Sequence, residues 1–301
     1  MKLFNSAIFI ALCFTLISCD QHSSQNKKSA SIEVIDYSGE VVKLDQPAKK
    51  IVALAPHIVE NIYSAGAGDH LIGVIEHSDF PEEAKTLDIV GSYTTINHEQ
   101  ILKLNPDLII AWQSGNSFGS LQKLKDLGFK FYIDQLNSLE DVAKSIRDIG
   151  ILTGQEATAN PVAESYLEEL NRIKQENQGK SPVSVFYQVW NQPLQTINGE
   201  HIISSAINLC GGINIFAEEL SVAPIVNIES ILQKDPTLIV ASGISNTRPD
   251  WLDDWLQWET LSAVRNNHLF FIDPDHIQRH TVRILFGIKR FCDHFDIVRG
   301  E

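Results

Sequence analysis

Residues 97–111 read NHEQILKLNPDLIIA, and residues 227–241 read NIESILQKDPTLIVA. Aligned without a gap, eight of the fifteen positions are identical, among them Glu99 with Glu229, Ile101-Leu102 with Ile231-Leu232 and Pro106 with Pro236. Each copy reads as a short helix, a proline-containing turn and a strand, predicted at 107–112 and 237–242. The runs LIIA and LIVA show no polar alternation, which is what parallel strands covered on both faces require. Chance likeness between two helix-turn-strand units is the plain alternative. Eight matches favour one supersecondary plan used twice, once in each half.

Working outward, strands alternate with helices. In the first half, strands are predicted at 51–54, 71–74 and 129–133. Helices are predicted at 57–65, stopping at Gly66 and Gly68, and at 118–127, stopping at Gly128. The alternating segment 32–42 turns at Ser38-Gly39 and predicts a hairpin. In the second half, strands are predicted at 183–189 and 268–272. Helices are predicted at 201–209 and 281–295. Between the halves, residues 138–179 are helical in composition, as one helix or two, and Pro161 suits a first helical turn. Ala163, Tyr166, Leu167, Leu170 and Ile173 keep helical spacing. The expected fold is therefore α/β: two Rossmann-like lobes with mainly parallel sheets, joined by a long backbone helix. The expected divisions are an N-terminal lobe at 32–153, an inter-lobe helix at 154–180 and a C-terminal lobe at 181–301. A single rigid crossover of this kind predicts little hinge bending.

The N-terminus reads as a processing signal. Lys2 gives a positive start, and residues 7–17 (AIFIALCFTLI) form an apolar run too short to span a bilayer. Leu16-Ile17-Ser18-Cys19 resembles a bacterial lipobox, so residues 1–18 are expected to be a lipoprotein signal peptide and Cys19 the lipidated residue. Residues 19–31 are polar and predict a flexible tether. Asp20 resembles an inner-membrane retention signal of enterobacterial lipoproteins. The expected location is the periplasm, lipid-anchored to the inner membrane. Of four cysteines, Cys13 leaves with the signal and Cys19 takes lipid, which leaves Cys210 and Cys292. In an oxidising compartment a disulfide is expected, two separate buried thiols being the alternative. The formal charge is −14, and losing Lys2 makes it −15. That excludes the basic stripes of a nucleic-acid binder and suits docking onto a basic partner.

Two lobes bridged by a helix, on a lipid tether, resemble the helical-backbone class of periplasmic solute-binding proteins, the class III family. The resemblance spans nearly the whole mature chain. It is carried by VIDYSG at 34–39 with IVALAP at 51–56, PDLIIAWQSGN at 106–116, CGGINIF at 210–216, and Gln278-Arg279 followed by Arg283-Ile284-Leu285. Within the class the motifs look closest to the cobalamin-binding branch. The resemblance implies a non-enzymatic protein, a monomer, that captures cobalamin or a related corrinoid between its lobes as a non-covalent ligand and hands it to an ABC permease with its ATPase subunits. Ferric siderophore or haem on the same fold is the second reading, and a metal ion the third.

The resemblance also carries residues over. Tyr93, Trp112 and Trp190 match aromatic ligand contacts, or lie within a residue of one. Asp275 and Arg279 match polar cleft positions. Glu99 and Glu229 match an acidic pair, one per lobe, that docks onto permease arginines, and the family places a disulfide at positions matching Cys210 and Cys292. Ala223, His276 and Gln278 depart from the pattern and bear on ligand identity. A corrin ring with amide arms needs aromatic walls, for which Phe80, Tyr93, Trp112 and Trp190 are candidates, and hydrogen-bonding groups, for which Asn116, Gln188 and Arg279 are candidates. The bland reading of each aromatic is core packing, and for Trp251, Trp255 and Trp258, spaced on one helix face, it is the favoured one. His57, His77, His98, His276 and His280 fall at element ends without a metal-binding spacing. No nucleophile elbow, P-loop, dinucleotide fingerprint or zinc-protease motif occurs in the chain.

Overall fold

The computed structural model describes residues 31–300 other than Tyr93 and Ile244. The expected signal peptide, nearly all of the expected tether (through Ala30), the expected lipidation site Cys19 and the aromatic candidate Tyr93 therefore lie outside the described residues. The first half opens with the hairpin β1 (Ile32–Ile35) and β2 (Val41–Leu44), antiparallel about Ser38-Gly39. There follow β3 (Ile51–Ala53), α1 (Pro56–Ser64), β4 (Leu71–Val74), α2 (His98–Leu104), β5 (Leu108–Trp112), α3 (Phe118–Asp126) and β6 (Phe131–Asp134). Two helices, α4 (Glu140–Thr153) and α5 (Glu156–Asn177), cross to the second half. That half holds β7 (Val183–Gln188), a short hairpin of β8 (Trp190–Asn191) and β9 (Leu194–Gln195), then α6 (Ile202–Leu209), β10 (Gly212–Asn214) and α7 (Ile228–Lys234). It ends with β11 (Leu238–Ala241), α8 (Ser262–Arg265), β12 (Leu269–Phe271), α9 (Pro274–Ile277) and α10 (Ile284–Arg299).

Each half builds one four-stranded parallel sheet. The orders are β4-β3-β5-β6 and β10-β7-β11-β12, so in both halves the second strand lies outside the first and the third and fourth follow on the other side. The apolar runs fill both faces. Leu108 and Ile110 of β5 join a central core while Ile109 and Ala111 pack outward under α2 and α3; Leu238 and Val240 of β11 point inward, and Ile239 and Ala241 outward. The repeat extends to the helix ends. Asn97 and Asn227 cap α2 and α7 by accepting from the backbone N–H three residues on, and Asn105 and Asp235 end them in the left-handed region at φ 48° and 39°.

Of the two alternatives for the connection, the structure has two helices, folded back at Gly154 (φ 70°), where Gly150 and Ala159 lie too close for any side chain at 150. Two expectations need correction. Pro161 sits inside α5, not in its first turn; the helix starts five residues earlier, at Glu156. The tryptophan segment is a tight 3-10 helix, Asp250–Gln257, whose buried residues Leu252 and Trp255 are three apart, as three residues per turn demands. The buried stripe of α5 (Ala159, Ala163, Tyr166, Leu170, Ile173, Asn177) runs a rod of about 33 Å. Among the described residues no helix is long and apolar enough to cross a membrane.

The halves are held at their seam by a buried ionic clasp. Glu60 of α1, 3% exposed, accepts from Arg279 Nη1 at 3.0 Å and from Arg283 Nε and Nη2 at 2.8 and 2.6 Å. Arg279 also donates to Asp79 at 2.7 Å, and the Arg283 guanidinium lies 3.9 Å over the Phe80 ring. The second half is further tied by a disulfide between Cys210, at the end of α6, and Cys292 of α10.

Two stability measurements follow. Glu60→Ala takes from Arg283 its carboxylate partner at a buried seam and from Arg279 one of three, and should lower the unfolding free energy in urea by about 3 kcal/mol, with Glu60→Gln losing less. Replacing both Cys210 and Cys292 by Ser releases a loop closed across 82 residues and should cost about 4 kcal/mol in the same assay.

Candidate functional site

In open parallel sheets, side chains that follow the carboxyl ends of strands converge on a common crevice. Here both sheets contribute to one. A cavity of about 910 Å³ is lined by Pro56 and His57 after β3, His77 and Asp79 after β4, and Trp112 and Gly115 after β5. Across from them stand Ser245 and Asn246 after β11, and Pro274, Asp275, Gln278, Arg279 and His280 after β12. The volume lies toward the upper end of the roughly 300–1,000 Å³ common for small-molecule sites.

Trp112 is the aromatic wall the sequence pointed to, and the loop after it is built to hold it. A Cβ at Gly115 would stand 1.8 Å from the indole ring, so only glycine lets the ring lie against that turn. Asn116, 6% exposed, accepts from the Trp112 backbone N–H at 2.8 Å and donates to Leu54 carbonyl oxygen at 2.9 Å. Asn116 was a candidate for a ligand amide; its side chain is instead spent on pinning the strand end that carries Trp112. Gln188 is likewise committed, since its Oε1 accepts from Trp255 Nε1 at 2.7 Å inside the second half. Neither of these two amides is in the cavity lining.

The remaining candidates divide. Asp275 and Arg279 face the cavity as an ion pair at 3.0 Å, with Arg279 reaching on to Glu60 and Asp79. Burial raises the pKa of Asp275, against the pull of Arg279. Phe80 is outside the cavity lining, half-exposed beneath Arg283. Trp190 is also outside it, on the β8–β9 hairpin, donating to Gln192 carbonyl oxygen at 2.9 Å. Glu99 and Glu229 are exposed in the first turns of α2 and α7, at structurally equivalent places in the two halves. Of the positions that depart from the family pattern, Gln278 lines the cavity and donates to Ser242 and Gly243 carbonyl oxygens, while His276 packs on Phe286 and Ala223 is exposed.

Histidine is the residue type whose role the sequence left most open. Three of the ten line the cavity, and His201 adds a fourth ring 6.1 Å from His280. His57 lies edge-on to Trp112 at 5.3 Å and 6.0 Å from His280. Burial pushes His57 down to about 3, helped by the charge of Arg279, and His201 down to about 4; His280 is driven well below the usual imidazole range by burial and its two imidazole neighbours. The three rings are therefore uncharged at neutral pH. Behind His57, the fully buried Asp134 at the end of β6 is raised to about 7, chiefly by burial. His57 and His280 were legible as loop histidines, and the strand ends before them were the signal that they would converge. Among the described residues no cluster of three or more His, Cys, Asp or Glu side chains is arranged to hold a metal ion.

Known proteins share this design. The family model described as periplasmic binding protein matches residues 51–276. A vitamin B12-binding protein of Vibrio parahaemolyticus is 37% identical over 260 residues, covering 85% of this chain and 93% of the relative. The crystal structure of the periplasmic vitamin B12 binding protein BtuF of Vibrio cholerae superposes with a TM-score of 0.78 at 35% identity, covering 85% of this chain and 99% of that one. A periplasmic heme binding protein from Pseudomonas aeruginosa shares the fold, with a TM-score of 0.70 at 19% identity over 82% of this chain and 92% of its own. By sequence and by fold, the chain belongs to the periplasmic binding protein family, a non-enzymatic family of solute-binding proteins.

Proposed function

We propose that this protein captures cobalamin or a related corrinoid in the cleft between its two halves and delivers it to an ABC importer. The supporting observation is the cleft wall: a tryptophan and uncharged imidazoles face an ion-paired polar side, in a chain whose relatives at 35–37% identity are named for vitamin B12. The Trp112 face and the His57 and His280 rings offer apolar surface to the macrocycle. Asp275, Arg279, Ser245 and Asn246 offer hydrogen-bonding groups to its amide arms. Haem is the second reading, favoured by the imidazoles of the cleft; a ferric siderophore, being anionic, would meet little positive charge there beyond Arg279.

Delivery is assigned to Glu99 and Glu229. Each is exposed in the first turn of a capped helix on the side of its sheet where the strands end, so the two acids flank the cleft and can meet two basic groups of a permease together. Cys19 is the proposed lipid anchor, holding the protein at the periplasmic face of the inner membrane through the segment 19–31. The expected divisions at 32–153, 154–180 and 181–301 are proposed as the working lobes, the protein acting as a monomer.

Calorimetric titration with cyanocobalamin should show saturable one-to-one binding, and Trp112→Ala should weaken it at least about tenfold, or 1.4 kcal/mol. Haem binding in place of cobalamin would favour the second reading. The double variant Glu99→Ala with Glu229→Ala should keep the affinity of the parent and lose corrinoid uptake by cells; normal uptake would remove the docking role.

A further inference from the structure

We infer that His57 is an axial ligand to the metal of the cargo, binding a corrinoid's cobalt through Nδ1 with Asp134 supporting the ring from behind. The inference rests on the corrinoid reading above and adds to it a residue that discriminates among corrinoids by what caps their cobalt.

The geometry singles out this imidazole. His57 stands in the first turn of α1, directly after β3, and lines the cavity. Its Nε2 is the enclosed nitrogen; it has no hydrogen bond and faces Asp134 Oδ2 at 3.6 Å. Its Nδ1 is not enclosed in this way, and the residue lines the cavity. Asp134 is fully buried, and neither of its carboxylate oxygens has a well-formed hydrogen bond. A buried acceptor in that condition is costly, and a movement of about half an ångström would let it take the Nε2 proton. A carboxylate that accepts from one ring nitrogen fixes the tautomer, raises the basicity of the other nitrogen and orients it, which is the arrangement found behind metal-ligating histidines. The edge-on indole of Trp112 limits the ring's rotation from a second side.

The neighbouring imidazoles lack this support. His201 is tied up at Nδ1, which accepts from the Ile203 N–H at 3.1 Å as the cap of α6. His280 has imidazoles on both sides and no acidic group within ion-pair reach among the described residues. The other charged groups around His57 are Arg279, which shares the cavity and is paired with Glu60, Asp79 and Asp275.

The step is a ligand exchange. On a corrinoid whose trivalent cobalt carries water, the Co–O bond breaks, the Nδ1 lone pair forms a Co–N bond, and the water leaves. Cobalt stays trivalent, and the proton stays on Nε2, donated toward Asp134. Cyanide on cobalt exchanges poorly, so a cyano-capped corrinoid would occupy the cleft without this bond.

The test compares aquocobalamin and cyanocobalamin on the purified protein by visible absorption and calorimetry. Aquocobalamin should take on the bands of an imidazole adduct when bound, while cyanocobalamin binds with its bands unchanged. His57→Ala and His57→Gln should bind both cobalamins without the shift, their affinity for aquocobalamin falling at least tenfold, and the aquocobalamin that His280→Ala binds, at whatever affinity, should still show the shift. Bound aquocobalamin with an unaltered spectrum overturns the His57 assignment and leaves the corrinoid reading standing. A shift that survives in both His57 variants, or vanishes with His280→Ala alone, also overturns it. Failure of either cobalamin to bind the parent protein overturns the assignment and the corrinoid reading together. Should His57→Ala fail to fold, His57→Gln and His280→Ala still decide which imidazole carries the shift.

Discussion

A carboxylate that meets almost no water holds this molecule's two halves in register. Glu60 takes three hydrogen bonds from two guanidinium groups of the other half, and those groups in turn fix the loop carrying His77, Asp79 and Phe80. Buried ion pairs gain little over an apolar contact of the same size, because desolvation offsets the attraction, but they tolerate only one geometry. The clasp therefore acts on position more than on stability. It sets the cavity floor, and it holds Arg279 with its charge already balanced by Glu60, Asp79 and Asp275.

The rest of the site depends on strand ends. A parallel sheet buried on both faces leaves its carboxyl ends as the exit for polar side chains, and the two sheets of this protein present those ends to a shared space. Trp112 and Asp134 terminate neighbouring strands of one sheet, and α1, which follows β3 between β4 and β5, carries His57 in its first turn. The loops need little order of their own because the strands deliver their first residues to fixed points. Asn116 shows how little is added: one amide, two backbone partners, and the Trp112 end of β5 is pinned to the loop leaving β3.

Much of this was legible from the chain alone. Unalternating LIIA and LIVA runs meant parallel strands, and the duplicated segment meant two equivalent helix-turn-strand units, because both signals are local. Trp112 was legible because it directly follows such a strand. What the chain alone did not show has a common cause as well. Asn116 and Gln188 have the chemistry of ligand-binding amides, and what decides their role is a backbone or indole partner 62 to 67 residues away, which spacing does not reveal. Pro161 looked like a helix start because its own turn permits one, whereas Gly154 and the Gly150–Ala159 contact set the real boundary. The imidazole cluster was hidden for the same reason: its four rings come from four separate segments of the chain.

The clasp also has a direction. Across the seam, the carboxylates Glu60 and Asp79 come from the first half and the guanidinium groups of Arg279 and Arg283 from the second, where Asp275 pairs with Arg279 inside its own half. The two halves share one topology and a visible repeat, so each resembles a partner for its own kind. Their seams differ in sign. Two first halves brought face to face would set acid against acid, and two second halves would set arginine against arginine, so an exchange of halves between neighbouring chains succeeds only when unlike halves meet. A protein assembled from near-copies thus carries, in four side chains, a lock against pairing like with like while many identical chains fold side by side.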